Sequence, residues 1–165
     1  MKKRLKQFGI VLLVALVAIQ IIRPEGNTNP VVAANALNAK FTVPEDVDNI
    51  LRTSCYDCHS NNSVPMWYMQ IQPIGMWIDH HIEEGKGEIN FDEFSAYSLR
   101  RQYHKFEEIE EMLTEDEMPL TSYTLIHGDA KLSAEQKKKV TDWVDAMRDT
   151  MEAHNPMDSL VRPRQ

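Results

Sequence analysis

Apolar residues at helical spacing dominate the pattern of the chain beyond residue 41. The clearest example runs from Ser133 to Met151, where Ser133 and Gln136 match the capping box that starts many helices. The apolar residues of this stretch form one stripe, as on the buried face of an amphipathic helix: Val140, Trp143, Val144, Met147 and Met151. No alternating strand pattern of useful length occurs. The pattern therefore predicts an all-α domain.

Three further helices are predicted upstream of this one. A short helix begins at Pro44 and leads to Ser54, a second covers Pro73 to Glu84 and stops at Gly85, and a third covers Leu99 to Leu113. We expect the first of these to cross the Ser133–Met151 helix. The expected fold is a compact helical domain.

The N-terminal segment has the charge pattern of an export signal. Residues 1–7 are basic, and Phe8 to Ile22 are apolar except for Gln20. No small-residue cleavage site directly follows, which favours an uncleaved signal anchor over a cleaved signal peptide. A helix of these fifteen residues covers about 22 Å, less than the ~30 Å hydrocarbon core, and Lys6 and Arg23 can snorkel to make up the difference.

The charge and composition along the chain define four regions. These are a signal anchor or signal peptide at 1–23, a linker rich in Asn, Ala and Pro at 24–40, a domain at 41–151, and a flexible tail at 152–165. Basic residues stay on the cytoplasmic side of a membrane. The predicted location is therefore the bacterial inner membrane, crossed once, with the domain facing the periplasm.

The domain is strongly acidic. The chain carries 25 acidic and 18 basic residues, and five of the basic residues precede Pro24. This charge argues against nucleic-acid binding. It favours a basic partner through electrostatic steering, although an acidic surface also serves solubility alone.

Cys55, Cys58 and His59 form the strongest chemical motif in the chain. The sequence Cys-Tyr-Asp-Cys-His is typical of c-type haem attachment. Two thiols can add across the two haem vinyl groups, and the histidine that follows is placed to bind the iron. The motif predicts one covalently attached haem c per chain, held in a compact helical domain like that of c-type cytochromes.

Three other chemistries use the same cysteines. A thioredoxin-like dithiol is expected between a strand and a helix, and no such pattern surrounds this motif. A structural zinc site needs four ligands, and the adjacent His80 and His81 project in different directions on a helix. A simple disulfide leaves His59 without a role.

Met118 is the predicted second axial ligand of the haem iron. It lies in a polar loop before Pro119, and a thioether in this position raises the reduction potential relative to a second imidazole. His81 is the runner-up, and His127 and an open iron are further alternatives. Other methionines are assigned to packing or to the pocket wall: Met66, Met69, Met76, Met112, Met147 and Met151.

The chain resembles the small bacterial haem-binding domain family, whose members are exported proteins with a single haem. The resemblance covers about Phe41 to Ala146, and it departs from the family at Val64–Trp67, where a Trp-Pro pair is usual. It implies haem carried by Cys55, Cys58 and His59, with Met118 as sixth ligand. The matching elements are the following: Ser54–Asn61, Trp67, Tyr68, Pro73, Trp77–His81, Glu84–Lys86, Ile89–Phe91, Glu117–Pro119, Tyr123, His127, Ala130–Ser133 and Trp143.

The predicted function is one-electron transfer by a membrane-anchored periplasmic cytochrome. No acid–base pair or nucleophile cluster predicts an enzyme with its own substrate, and the glutamates of residues 107–111 have the pattern of a solvated helix face. One alternative is a haem sensor or small peroxidase with an open or displaceable sixth ligand. Another is a periplasmic dithiol or metal-binding module without haem.

Overall fold

The regular secondary structure of residues 1–161, the part of the chain that this computed structural model describes, is helical apart from one isolated bridge between Thr28 and Asn62. The all-α prediction is therefore confirmed. The α-helices in chain order are α1 (Lys2–Ile19), α2 (Leu37–Lys40), α3 (Glu45–Ser54), α4 (Tyr56–His59), α5 (Ile74–Glu88), α6 (Leu99–Thr114), α7 (Thr121–Thr124), α8 (Ala134–His154) and α9 (Met157–Leu160).

The hydrophobic core lies where α6 and α3 pack against α8, and of these two contacts the sequence predicted the one between α3 and α8. Its centre is aromatic. The ring of Phe106 meets those of Phe41 and Trp143 edge to face, with centroids 5.0 and 5.6 Å away. The indole N–H of Trp143 donates to the carbonyl of Thr42 at 3.0 Å, so its one polar group is satisfied in the core.

Helix α8 begins with the capping box that the sequence predicted. The amide of Gln136 donates to the Ser133 hydroxyl at 3.2 Å, and the Ser133 amide donates to the Gln136 side chain at 2.9 Å. The helix continues to His154, beyond the predicted end.

Residues 152–161, which the sequence placed in a flexible tail, are packed in the structure. After α8 the chain forms α9, which lies against α6 and buries Leu160. Burial of the apolar Leu160 side chain stabilises this packing. Residues 162–165 of the predicted tail lie outside the described residues.

Residues 24–40, the predicted linker, also pack against the domain. The side chain of Asn27 is buried, and its amide nitrogen donates to the carbonyl of Ser60 at 2.8 Å. Leu37 is buried, and its backbone N–H donates to the carbonyl of Phe91 at 2.7 Å. Partners elsewhere in the domain thus satisfy polar groups of a segment that lacks periodicity of its own.

The predicted signal anchor corresponds to α1, none of whose residues is buried. Within residues 1–161, no helix combines the length and the apolar content needed to cross a membrane. The segment after α1 is joined to the domain by two hydrogen bonds between Gln20 and Gln72. The Gln20 side chain donates to the Gln72 carbonyl at 2.8 Å and accepts from the Gln72 amide at 3.0 Å.

Candidate functional site

A cavity of about 560 Å³ opens beside the Cys-Tyr-Asp-Cys-His motif. Its size falls in the range of about 300–1,000 Å³ that is typical of sites for small molecules and cofactors. Cys55, Cys58 and His59 all line it, together with residues of α3, α5, α6 and α8. The three residues that the sequence singled out therefore share one wall of one cavity.

The local backbone explains how the motif presents all three side chains together. Helix α3 ends at Ser54, Cys55 leaves the helical conformation, and α4 forms a single turn. The amides of Cys58 and His59 both donate to the carbonyl of Cys55, at 3.2 and 3.0 Å. This tight turn brings the second thiol and the imidazole back beside the first thiol.

The imidazole of His59 is fixed by two backbone carbonyls. Its Nδ1 lies 2.9 Å from the carbonyl oxygen of Gly85 and 3.1 Å from that of Ile89, so Nδ1 carries the proton that it shares with them. Burial lowers the pKa of His59, which favours the neutral ring. A neutral ring protonated on Nδ1 offers the lone pair of Nε2 to a metal.

Gly85 is a residue whose role the sequence pattern misread. It was predicted to stop a helix, but α5 continues through it to Glu88. A Cβ atom at this position would lie 2.9 Å from the carbonyl oxygen of Cys58 and 3.3 Å from Cε1 of His59. Glycine is therefore required for close packing of α5 on the motif, which outweighs its poor helix propensity.

The two thiols have the protonation behaviour of unreactive cysteines. Burial, with a smaller contribution from Cys58, raises the pKa of Cys55 to about 12. Burial and then the charge of Asp57 raise the pKa of Cys58 to about 11. A dithiol oxidoreductase needs a thiolate with a lowered pKa. The electrostatics of this site oppose that alternative.

Tyr123 links the motif to the segment that carries Met118. Its hydroxyl donates to the carboxylate of Asp57 at 2.6 Å, and the other oxygen of Asp57 accepts from the Val64 amide at 3.0 Å. Tyr123 also lines the cavity. The hydrogen bond therefore holds α7, which begins three residues after Met118, against the middle of the motif.

The candidate axial ligands occupy different positions. Met118 is half-buried and lines the cavity, as does His81, whose Nδ1–H donates to the Trp77 carbonyl at 2.9 Å. His127 does not line this cavity. Its ring stacks on Tyr123 with centroids 4.4 Å apart, and its Nε2 is hydrogen-bonded to the hydroxyl of Tyr68.

The structure changes the assignment of one methionine and gives the position of two others. Met112 was assigned to the helix core, but it is half-buried on the cavity wall because α6 turns that face towards the motif. Met66 and Met69 line a smaller adjoining cavity of about 50 Å³. The second cavity lies directly beside the first, since both have the same five wall residues: Asp57, Cys58, His81, Leu120 and Tyr123.

Lys105 is a wall residue that the sequence reasoning missed. Its side chain is 9% exposed, and its ammonium group lies 3.1 Å from the carboxylate of Glu88 and also contacts the carboxylate of Glu108. Burial works to lower the pKa of Lys105, but the hydrogen bonds to Glu108 and Glu88 outweigh it, so the pKa is raised. Position 105 shares the buried helical face with Gln102, Phe106 and Ile109, which was the available signal.

These residues fit the haem that the motif predicts. Two adjacent thiols, an imidazole with a free Nε2 and a cavity of suitable size meet at one place. Among residues 1–161, no three His, Cys, Asp or Glu side chains are grouped as ligands for a metal ion, whereas a structural zinc site uses four such ligands.

Comparison with known proteins gives one match. The sequence model of the haem-binding domain family matches residues 14–146, which is most of the chain and includes every wall residue named above. No curated protein and no solved structure matches the chain significantly. The match begins upstream of Phe41, in agreement with the packing of residues 24–40 against the domain. The chain belongs to the haem-binding domain family.

Proposed function

We propose that this chain carries one haem c, bound through thioethers to Cys55 and Cys58, and that it transfers single electrons. The observation that carries the proposal is the arrangement at His59. The two carbonyls that hold its Nδ1 leave Nε2 as the metal-binding nitrogen, on the same cavity wall as both thiols. Family membership supports the haem, and the motif supports its covalent attachment.

The chain's own residues position and enclose the cofactor. Haem bound here supplies a one-electron couple between ferric and ferrous iron. His59 provides a neutral imidazole whose orientation is fixed by Gly85 and Ile89. Apolar side chains from α3, α6 and α8 line the cavity and would keep water from bound haem: Ile50, Leu51, Ile109, Leu113 and Val140. This enclosure suits a carrier whose cofactor stays in place between reactions.

Met118 is our proposed sixth ligand. It lies on the cavity wall in the loop between α6 and α7, and the Tyr123–Asp57 hydrogen bond holds this loop to the motif. Ligation by His and Met favours the reduced iron and leaves no position for a substrate. His81 remains the alternative ligand, since it lines the same cavity.

We propose further that the chain is exported and works at the periplasmic side of the bacterial inner membrane. The basic residues 2–6 and the apolar run from Phe8 to Ile22 support export and membrane association. The acidic domain favours a basic redox partner. Attachment to the membrane raises the effective concentration of partners located there.

The electron-transfer proposal is tested by comparing Met118→Ala with Met112→Ala, because both methionines line the cavity. The oxidised wild type is expected to show the charge-transfer band of methionine-ligated iron. Met118→Ala is expected to lose this band and to bind carbon monoxide rapidly when reduced, and Met112→Ala to keep the wild-type spectrum. Rapid carbon monoxide binding by the wild type would instead indicate a haem sensor or peroxidase.

A further inference from the structure

Two segments of this acidic domain contain no charged residue. Residues 64–78 contain no Asp, Glu, Lys or Arg, and neither do residues 118–126, although 26% of the chain is charged. The fold brings the two segments together. Met66, Met69 and Trp77 of the first segment and Leu120 and Ile126 of the second line the small cavity of about 50 Å³.

Large apolar side chains project from these two segments into solvent. Trp67 is 75% exposed and Trp77 is 49% exposed, although the third tryptophan, Trp143, is buried in the core. Single exposed apolar residues are ordinary, but several of them on two segments that meet at one cavity indicate an interaction site. We call this group the apolar patch, and its members are Trp67, Ile71, Ile74, Trp77, Leu125 and Ile126.

The apolar patch is continuous with the exposed N-terminal segment. The paired hydrogen bonds between Gln20 and Gln72 join the end of α1 to residues inside the patch region. The guanidinium of Arg23 also donates to the carbonyl of Gln70. No residue of α1 is buried by the domain. The C-terminal end of the apolar run from Phe8 to Ile22 therefore lies beside the patch.

We propose that the apolar patch lies on a lipid bilayer, so that the membrane contacts the domain as well as the N-terminal segment. This inference rests on the proposed membrane association. Exposed tryptophans are typical of the interface between hydrocarbon and headgroups, because their rings are apolar and their N–H groups remain hydrated.

Charge selects the same face. The acidic side chains elsewhere on the domain are repelled by anionic lipid headgroups, whereas the patch is uncharged and has Arg23 at its edge. A basic protein partner has the opposite preference, since it is attracted to the acidic faces of the domain. The electrostatic pattern therefore assigns the bilayer to the patch and leaves the acidic faces to a soluble or membrane-bound redox partner.

This placement brings the haem cavity close to the membrane surface. Trp77, in the patch, packs on His81 with ring centroids 4.3 Å apart. His81 lines the large cavity as well as the small one. One layer of side chains thus separates the lipid-facing surface from the cavity that we propose for haem.

The test uses the full haem-loaded chain in vesicles of phosphatidylethanolamine and phosphatidylglycerol that contain a photoreactive lipid. After illumination, mass spectrometry maps the lipid adducts. The expected result is adducts on residues 8–22 and, in addition, on 64–78 and 120–126. Met157 on α9 is an internal control. It is apolar and 47% exposed but lies outside the patch, so it is expected to remain unlabelled.

Variants separate specific insertion from chance contact. The double variant Trp67→Ser and Trp77→Ser is expected to lose several-fold of the adducts on residues 120–126, and Met157→Ser to lose none. Both changes fall on exposed side chains, so the fold is expected to remain intact.

Adducts confined to residues 8–22 would overturn the inference and leave membrane association standing. Adducts on neither region would overturn both. Zero-length crosslinks between two copies at the patch would show that a second copy occupies it, which would also overturn the inference. Loss of the lipid adducts on addition of a redox partner would show that the partner binds the patch, with the same consequence. The haem proposal is judged separately, from the spectrum of the same sample.

Discussion

The backbone carbonyl of Gly85 accepts a hydrogen bond from Nδ1 of His59 at 2.9 Å, while the Cα of the same glycine leaves no room for a side chain. One residue of α5 therefore both orients the proposed haem ligand and permits the close approach of the motif. The sequence shows the glycine, but it does not show that this glycine packs against His59 and Cys58.

Replacing Gly85 with alanine is expected to impair haem loading and stability. The new Cβ would meet the backbone oxygen of Cys58 at 2.9 Å, and a backbone atom cannot move aside cheaply. We expect a loss of about 1–3 kcal/mol in the free energy of unfolding, as for other overpacked sites. Denaturant unfolding and the haem-to-protein ratio measure the two effects.

Gly87→Ala is the matched control, because Gly87 lies in the same helix and a Cβ there would meet nothing within 4 Å. It is expected to be neutral, or stabilising by up to about 1 kcal/mol. Equal behaviour of the two variants would contradict the role given to Gly85.

Tyr123→Phe is expected to weaken the proposed iron–methionine bond without touching either ligand. The change removes the hydroxyl that donates to Asp57 at 2.6 Å, and with it the link between the motif and the loop of Met118. The expected cost is roughly 1–2 kcal/mol in unfolding free energy. The charge-transfer band of methionine ligation should disappear at a lower denaturant concentration than in the wild type.

Tyr103→Phe supplies the control for a general loss of stability. The Tyr103 hydroxyl also donates to a carboxylate, that of Glu152 at 2.6 Å, but Tyr103 does not line the cavity. This variant should lose comparable stability and keep the ligation spectrum. A ligation spectrum that responds equally to both changes would refute the positioning role of Tyr123.

Lys105→Met is expected to lower the reduction potential. The ammonium group of Lys105 lines the same cavity as His59, and after burial its positive charge is among the causes that lower the pKa of His59. Removing a positive charge near iron favours the ferric state, and Glu88 and Glu108 would remain. Spectroelectrochemical titration measures the shift.

Lys139→Met is the reference variant, since Lys139 is ion-paired with Asp46 at the surface, 3.1 Å away, and does not line the cavity. Its potential should match that of the wild type. A potential that is unchanged or higher in Lys105→Met would show that this lysine does not act on the iron.

The thiols of the haem-free protein are expected to alkylate slowly. Burial raises the pKa of Cys58 to about 11 and that of Cys55 to about 12, so the nucleophilic thiolate is scarce at neutral pH. The alkylation rate of the folded chain should still be rising above pH 9, whereas in urea it should level off near the ordinary cysteine pKa of about 8.5. A fast reaction at pH 7 would revive the dithiol alternative.

The sequence predicted the parts of the fold that depend on local signals. The capping box at Ser133 and the stripe from Val140 to Met151 located α8, because both are short-range patterns. The Cys-x-x-Cys-His spacing located the centre of the site for the same reason. The structure adds that Met118, 59 residues beyond His59, lines the same cavity as this motif.

Features that depend on distant contacts were missed. Asn27 lies in a segment without periodicity, yet it accepts a hydrogen bond from Lys86 at 2.8 Å and donates to Ser60 behind the motif. Leu160 is a single apolar residue near the end of the chain, and its burial depends on the surface of α6. No local pattern encodes such partners, since the stabilising groups come from other parts of the chain.

The covalent attachment of haem is tested most directly by intact-mass measurement of the protein recovered from cells competent in cytochrome c assembly. The account predicts a mass increased by one haem that survives denaturation and acid extraction, with a pyridine haemochrome spectrum of the c type. The mass increase should be absent from a Cys55→Ser and Cys58→Ser double variant. A colourless protein with the mass of the bare polypeptide, or a haem that acid removes completely from the wild type, would contradict it.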